Sequence, residues 1–592
     1  MAQSTLCNCP KGMTMKTMKH KRLITIVALV LVAVMLTAAL SGCHLFKIYD
    51  EGDLLAMMNE LAVTMFTGDG LSVNILLENP EKLDLDGQPA SLPLPDFEKE
   101  SYEENMRGLK EILGIFNMVN YKKLSTKGKM DYDTIVDYFS TLMQYADYYY
   151  LDNRDYVGSS DGWNVLLPLY LDKLAFKTEN DVKNWLSLAE QTQTAFAEYA
   201  RFEKEVLIPA GYARSSIAYG EIAEQCESIA KMADGEEHFL LAIFTDKILN
   251  ADFLTDAEKQ NYILEATSKI NEKLVPAYQT LAQEMRALSE ANYPTKSLAE
   301  YSEGKAYYEL LFRDTSSSSD SVETAYNNLK VAFNETIEEA RTLQASIEQG
   351  VTLTPDMSIE ALERYYQTLK ARYAEDFPTL DANTPDATFF EVPEAMADFY
   401  NPASYFKSAV DSVTAPETIY VNSANAGGYL GFDIISHEGL PGHMLQHSYH
   451  KSSGANMLRS LLGYVGYAEG WASYAQYYSA KYFEGTEQEK LAYKVQCLLD
   501  KATTYLYTII DIEINYYGKT KEQLYADETY AQIFSDRMYE YMIQNPAVYA
   551  SYGYGNYKME QLRKAFEGRD YDFHLYVLKC GPTTYEILAK YM

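Results

Sequence analysis

Between Glu51 and Leu369 the apolar residues of this 592-residue chain return at intervals of three and four, as in DVKNWLSLAEQTQTAFAEYARFEKEVLIPA from Asp181 to Ala210. That spacing puts one apolar stripe along each α-helix, and such stripes can be buried only by packing helix on helix. Gly (31) and Pro (18) are sparse, which favours long helices over a turn-rich β architecture. No repeat of fixed period stands out, so a solenoid is disfavoured. One polar patch, Ser316 to Ser319 followed by Asp320 and Ser321, reads as a loop. Asp320 and Glu323 are spaced there as a capping box for the next helix.

The pattern changes between Thr388 and Asn422. Two short β-prone runs, TFFEV (Thr388 to Val392) and ETIYV (Glu417 to Val421), are separated by Pro393, Pro402 and Pro416, which predicts a small sheet. Helical patterns resume after Gly427-Gly428 and run to the terminus. The expectation is a mainly α protein with a small sheet beside a cleft. Thr418 to Val421 is expected to be an edge strand able to pair with an extended peptide.

Residues 1–42 carry five basic side chains (Lys11, Lys16, Lys19, Lys21, Arg22) and no acid, and they hold the apolar run from Leu23 to Leu40. This is the pattern of a secretory signal peptide. Leu40-Ser41-Gly42-Cys43 then looks like a bacterial lipobox, which predicts a mature chain starting at a lipidated Cys43 and tethered to the cell membrane on its extracytoplasmic face. The competing reading is an uncleaved transmembrane anchor, because the run is just long enough to span. Residues 43–592 are expected to form a single catalytic unit, with a helical half over 43–380 and a metal-binding half over 381–592.

Asp plus Glu total 84 against 51 Lys plus Arg, a net charge of −33, and this excludes the basic face that nucleic-acid binding needs. Hydrophobic residues at 47% exclude a disordered chain. Beyond the leader and Cys43 only Cys226, Cys497 and Cys580 remain, widely scattered, so neither a disulfide framework nor a cysteine zinc site is implied.

Four of the eight histidines (His437, His443, His447, His450) fall within fourteen residues. His437-Glu438-Gly439-Leu440-Pro441-Gly442-His443 is two residues longer between its histidines than the H-E-x-x-H of zincins. A straight helix would turn roughly 600° over those six residues and set His443 about 120° away from the face of His437. Pro441 resolves this, since its ring clashes with the carbonyl four residues earlier, that of His437, and forces the helix to deform. Gly442 adds the backbone freedom to re-aim His443. His443 with His447 is the alternative pair at i,i+4. His437 is favoured because Glu438 follows it directly, and a glutamate in that place acts as general base in zinc metallopeptidases. Glu469, alone in the uncharged helical stretch Gly466-Tyr467-Ala468-Glu469-Gly470-Trp471-Ala472, is the third candidate ligand, its small neighbours allowing close helix approach. The expected site is therefore zinc (Zn2+) on His437, His443 and Glu469. His447 and His450 are assigned to the solvated or flanking side of the metal helix, and His238 and His574 to the surface or to helix caps.

HEGLPGHMLQ (His437 to Gln446) followed by YAEGWASYA (Tyr467 to Ala475) resembles the bacterial domain-of-unknown-function family 885, with its H-E-x-x-P-G-H-x-x-Q signature and E-G-W-A helix. GKAYYELL (Gly304 to Leu311), IYVN (Ile419 to Asn422) and DFHLYVLKCGPTTYEIL (Asp572 to Leu588) resemble further segments of that family. The resemblance implies a large helical zincin-like metallopeptidase that binds zinc and acts on peptides. Pro546 to Gly555 (PAVYASYGYG) is similar to the family's P-G-Q-A-x-x-Y-x-x-G segment but carries Ala547, Val548 and Tyr549 in place of Gly, Gln and Ala. Tyr552 keeps the phenol that would meet the oxyanion of a tetrahedral intermediate, with Tyr554 and Tyr549 as fallbacks. Two rival functions stay open at this stage: a non-catalytic lipoprotein that binds a peptide or nutrient, and a zinc amidase acting on cell-wall or other non-peptide amides.

Overall fold

The structure, a computed structural model, describes residues 49–231, 237–398, 400–530 and 533–592. The leader and Cys43 lie outside them. Among the described residues no helix is long and apolar enough to cross a membrane, and Cys226, Cys497 and Cys580 are buried free thiols.

The first half is a helical stack. The run from Asp181 forms α1 (Glu179–Phe202), whose Thr178 and Asp181 make a capping box and whose Val182, Trp185, Leu188, Ala189 and Phe196 face inward. Helices α2 (Ser216–Ala230) and α3 (Val275–Ser289) pack on one another and α3 packs on α1, with Tyr278 donating its hydroxyl to the Asn164 carbonyl in their midst. Helices α4 (Gly304–Ser316) and α5 (Val322–Gln344) then lead toward the second half. The turn between them is the expected polar loop, with Ser316, Ser317 and Ser318 buried. Asp320 is not the cap. Ser321 accepts the Thr324 amide at the start of α5, while Asp320 takes hydrogen bonds from the Tyr554 hydroxyl (2.6 Å) and Lys558 (2.8 Å). The sequence spacing fits either cap, and the long-range partners decide between them.

The sheet has three strands in the order β1-β3-β2, with β1 (Ala387–Glu391) parallel and β2 (Ala403–Phe406) antiparallel to β3 (Glu417–Val421). The strand expected at the edge is thus the central one, paired on both sides, and it has no free backbone row to offer a peptide. The four-residue β2 holds the edge nearer the site.

After the sheet come α6 (Phe432–Glu438), α7 (His443–Ser452), α8 (Val465–Tyr478), the long α9 (Glu487–Asn515), a π-helical turn at Ala550–Tyr554 leading into α10 (Gly555–Ala565), and α11 (Asp570–Cys580). Helix α8 is the hub, packing on α6, α7, α4 and α10. Small residues permit this: a Cβ on Gly470 would meet Gly555 backbone at 2.6 Å, and one on Gly466 would meet Ser316 backbone at 2.1 Å. The two halves share one hydrophobic core and a fully buried ion pair, Arg459 with Asp131, whose guanidinium also holds the Cys580 and Pro582 carbonyls. Breaking such a pair from one side would leave a buried charge, at a cost of roughly 3–5 kcal/mol.

Candidate metal centre

Helix α6 is positioned by Asp433 in its first turn, whose carboxylate collects the amides of Leu430, Gly431 and Ile434 at 2.9–3.1 Å. Burial raises its pKa to about 6 against those amides. Gly431 before it has φ +99°, a left-handed conformation that a side chain would strain. The helix stops at Glu438 and α7 begins at His443, so the expected deformation is a complete break. Gly442 has an ordinary negative φ; it is required because a Cβ there would lie 1.8 Å from the His437 carbonyl oxygen. Trp471 Nε1 donates to the Pro441 carbonyl at 3.0 Å and Gln446 donates to the Tyr467 carbonyl, so α8 clamps the turn from the far side.

The break brings His437 Nε2 to 3.3 Å and His443 Nε2 to 3.4 Å from Glu469 Oε2, and all three ligand atoms lie within 4.8 Å of one another. Burial would raise the Glu469 carboxyl, but the two imidazoles overcome this and hold it at about 2. Its Oε2 is buried and makes no hydrogen bond. Three ligand atoms that converge this closely could share one cation. Two ligands on a tetrahedral zinc with bonds of about 2.0–2.1 Å stand roughly 3.3–3.4 Å apart, which is the spacing found on either side of Glu469. The residues present therefore fit a zinc ion.

His437 Nδ1 lies 3.0 Å from Gln476 Oε1, and Gln476 Nε2 donates to Asp500 at 3.1 Å. Because the amide oxygen can only accept, His437 carries a proton on Nδ1, which leaves Nε2 as the atom that would face a metal. Gln476 lies seven residues after Glu469 on the same face of α8, a periodicity that could have disclosed it; Asp500 comes from α9 with no signal in its surroundings.

Glu438 is buried but outside the converging triad. Its Oε2 accepts the Tyr405 backbone N–H from the free edge of β2 at 2.6 Å. Burial raises its pKa, opposed by His437 and His443. Tyr552 is on the π-helical turn with its ring 6.4 Å from that of His437 and nearly parallel to it, and burial keeps its phenol protonated. These residues line one cavity of about 230 Å³. The fallback tyrosines do not: Tyr554 is turned to Asp320, and Tyr549 packs on Tyr507. Ala547, where the related motif has Gly, sits at φ +61° with its amide on Asp511, so the glycine of the motif answers a left-handed backbone.

Among the described residues, the other histidines stand apart from the triad. His447 lines the cavity but its Nε2 is bonded to the Ser408 carbonyl at 2.9 Å. His450 is buried against Gly581 instead of solvated. His238 caps the helix Phe239–Leu249, as expected, though it is buried. His574 is neither surface nor cap: it is fully buried, stacked on Phe377 with ring centroids 4.0 Å apart, between the Asp376 carbonyl and the Tyr474 hydroxyl. It supports α8 from behind.

Two solved structures share this fold. The one described as "the putative lipoprotein from Colwellia psychrerythraea" superposes with a TM-score of 0.76 at 16% identity, covering 92% of this chain and 99% of that one. A second, described as a "putative lipoprotein of unknown function from Shewanella oneidensis", gives 0.58 at 16% identity over 91% of this chain and 99% of the other. No curated protein matches the sequence. The model of the family described as bacterial protein of unknown function (DUF885) matches residues 86–592, through the helical stack, the sheet and every residue of the centre, and the chain belongs to that family.

Proposed function

We propose that this protein is a zinc-dependent peptidase, tethered through a lipidated Cys43 to the extracytoplasmic face of a bacterial membrane. The observation that carries the reading is the convergence of His437, His443 and Glu469 at ligand spacing, with a buried carboxylate that is not a ligand beside them in one cavity. A receptor has no use for that carboxylate. Anchoring is supported by Leu40-Ser41-Gly42-Cys43 and by the lipoprotein descriptions of both structural neighbours.

Zinc bound there would supply Lewis acidity toward the scissile carbonyl and lower the pKa of water. Glu438 then does the proton work. Tyr405 N–H holds its Oε2, which leaves Oε1 to take a proton from the attacking water and pass it to the leaving amine. The Tyr552 phenol, kept as O–H by burial, donates toward the oxygen on which negative charge develops. Gln476 and Asp500 hold the His437 ring and its tautomer.

The test is metal analysis of the purified soluble part together with hydrolysis of a quenched peptide library. About one zinc per chain and peptide cleavage lost on chelation are expected. A zinc-loaded protein that cleaves no peptide overturns the peptidase reading and leaves amides of other kinds, cell-wall cross-links first, as substrates.

A further inference from the structure

Lys407 follows β2 directly, and its side chain lines the cavity of His437, Glu438, His443 and Glu469. It also lines an adjoining cavity of about 280 Å³, and the two share Leu166, Tyr170 and Phe406 besides, so Lys407 stands at the neck between them. Its ammonium donates to the Ser460 carbonyl. Among the described residues no carboxylate pairs with it, whereas Lys451 nearby is neutralised by Glu417 at 3.1 Å. Burial and the Lys451 charge pull its pKa down to about 8, with no acid acting to raise it. A half-buried ammonium that faces two cavities with no carboxylate beside it is placed to meet an anion. The cavity that leads to the candidate metal centre gives an anion from outside the chain a route to it.

We infer that Lys407 is a specificity residue that anchors a carboxylate of the substrate, so that the site selects peptides carrying a free carboxylate close to the scissile bond. The inference rests on the peptidase reading for its substrate class. Two peptide groups offer this chemistry: the C-terminal carboxylate and an Asp or Glu side chain. The first would make the enzyme a trimmer of free C-termini, the second a reader of acidic residues.

The probes are acetyl-trialanine as free acid, its C-terminal amide, and acetyl-Ala-Ala-Glu amide. Binding is measured by calorimetry on zinc-loaded Glu438→Gln protein, and turnover on the zinc-loaded native protein. The free acid is expected to bind roughly 10- to 100-fold more tightly than the amide, the worth of a hydrogen bond to a charged group. Lys407→Met should bring that ratio close to one, and Lys407→Arg, which keeps the charge, should retain part of it. Tight binding of the glutamyl amide alone would support the anchor and assign it to acidic side chains. Equal binding of all three probes by a protein with native lysine, no binding of any, or discrimination that survives in Lys407→Met overturns the inference. The first two arms need no substitution at Lys407. Discriminating binding with no turnover of any probe would sink the peptidase reading while the carboxylate anchor stands.

Discussion

Replacing Glu438 by Gln separates chemistry from metal binding. The amide fills the same space and can turn its oxygen to the Tyr405 N–H, so the 2.6 Å contact that fixes this side chain has a replacement. The fold should hold, because the substitution removes a charge from a buried place instead of adding one. Zinc should stay near one per chain, because the proposed anionic ligand is Glu469 and its convergence with His437 and His443 does not involve Glu438. The amide cannot take a proton from water. Loss of general-base assistance amounts to roughly 100- to 10,000-fold, or about 3–5 kcal/mol of barrier at 1.36 kcal/mol per tenfold. It should fall on kcat with KM little changed, since the proposed base acts on water and not on the bound substrate. The assay is steady-state cleavage of a quenched peptide, with zinc measured on the same sample. Full activity in a zinc-loaded Glu438→Gln protein refutes the mechanism. Loss of zinc together with activity refutes the assignment in another way, by making Glu438 a ligand.

Zinc content should drop strongly in His437→Ala, His443→Ala and Glu469→Ala but little in His447→Ala; retention in His437→Ala with loss in His447→Ala would reinstate the i,i+4 pair. Tyr552→Phe should raise the barrier by about 2–4 kcal/mol, seen in kcat more than in KM, if the phenol meets the oxyanion; unchanged turnover would remove this tyrosine from the mechanism. Ala547→Gly should raise stability in urea by about 1 kcal/mol, since a left-handed alanine is strained by about 1–2 kcal/mol and the added unfolded-state entropy of glycine offsets only part of that. A fall in stability would mean that the turn at Ala547 is held without strain.

What could be read in advance was what depends on local spacing. The stripe from Asp181 became α1, ETIYV became a strand with its expected bounds, and the small residues flanking Glu469 lie at close helix contacts. What escaped depends on partners far along the chain. Strand β2 is four residues long and preceded by Pro402, too short to show an alternating pattern, and without it β3 reads as an edge. The serines after α4 read as a polar loop, and nothing local says that α8 lies over them; Ser317 Oγ in fact takes the Tyr467 amide at 3.2 Å. His574 looks like a surface residue until Phe377, nearly two hundred residues earlier, is stacked on it. Gln476 repeats the face of Glu469, but one matching position on a helix full of tyrosines does not stand out. Lys407 is a single cation after a short strand, and only the cavity and the lack of a partner distinguish it from any other lysine.

The six-residue spacing of His437 and His443 shows why tertiary contacts belong in the account of this centre. In H-E-x-x-H the helix itself brings two imidazoles together, and the periodicity is sufficient. Here the helix ends just past the first histidine and a new one starts at the second, so local periodicity places neither ring relative to the other. That placement is transferred to contacts across the break: Gly442 lies against the His437 carbonyl, Trp471 binds the Pro441 carbonyl, and Gln446 binds the Tyr467 carbonyl. Two of these three come from α8, the same helix that presents Glu469 and Gln476. One rigid element thus sets the turn between the histidines, supplies the carboxylate that faces both, and fixes the tautomer of the first. Its own position depends on Gly466 and Gly470 lying against Ser316 and Gly555, and on Tyr585 donating to the Gly466 and Gly555 carbonyls at 2.7 Å. The E-G-W-A motif is therefore as much a condition of the histidine geometry as the histidine motif itself: its Glu faces both rings, its Gly admits the neighbouring helix, and its Trp holds the turn.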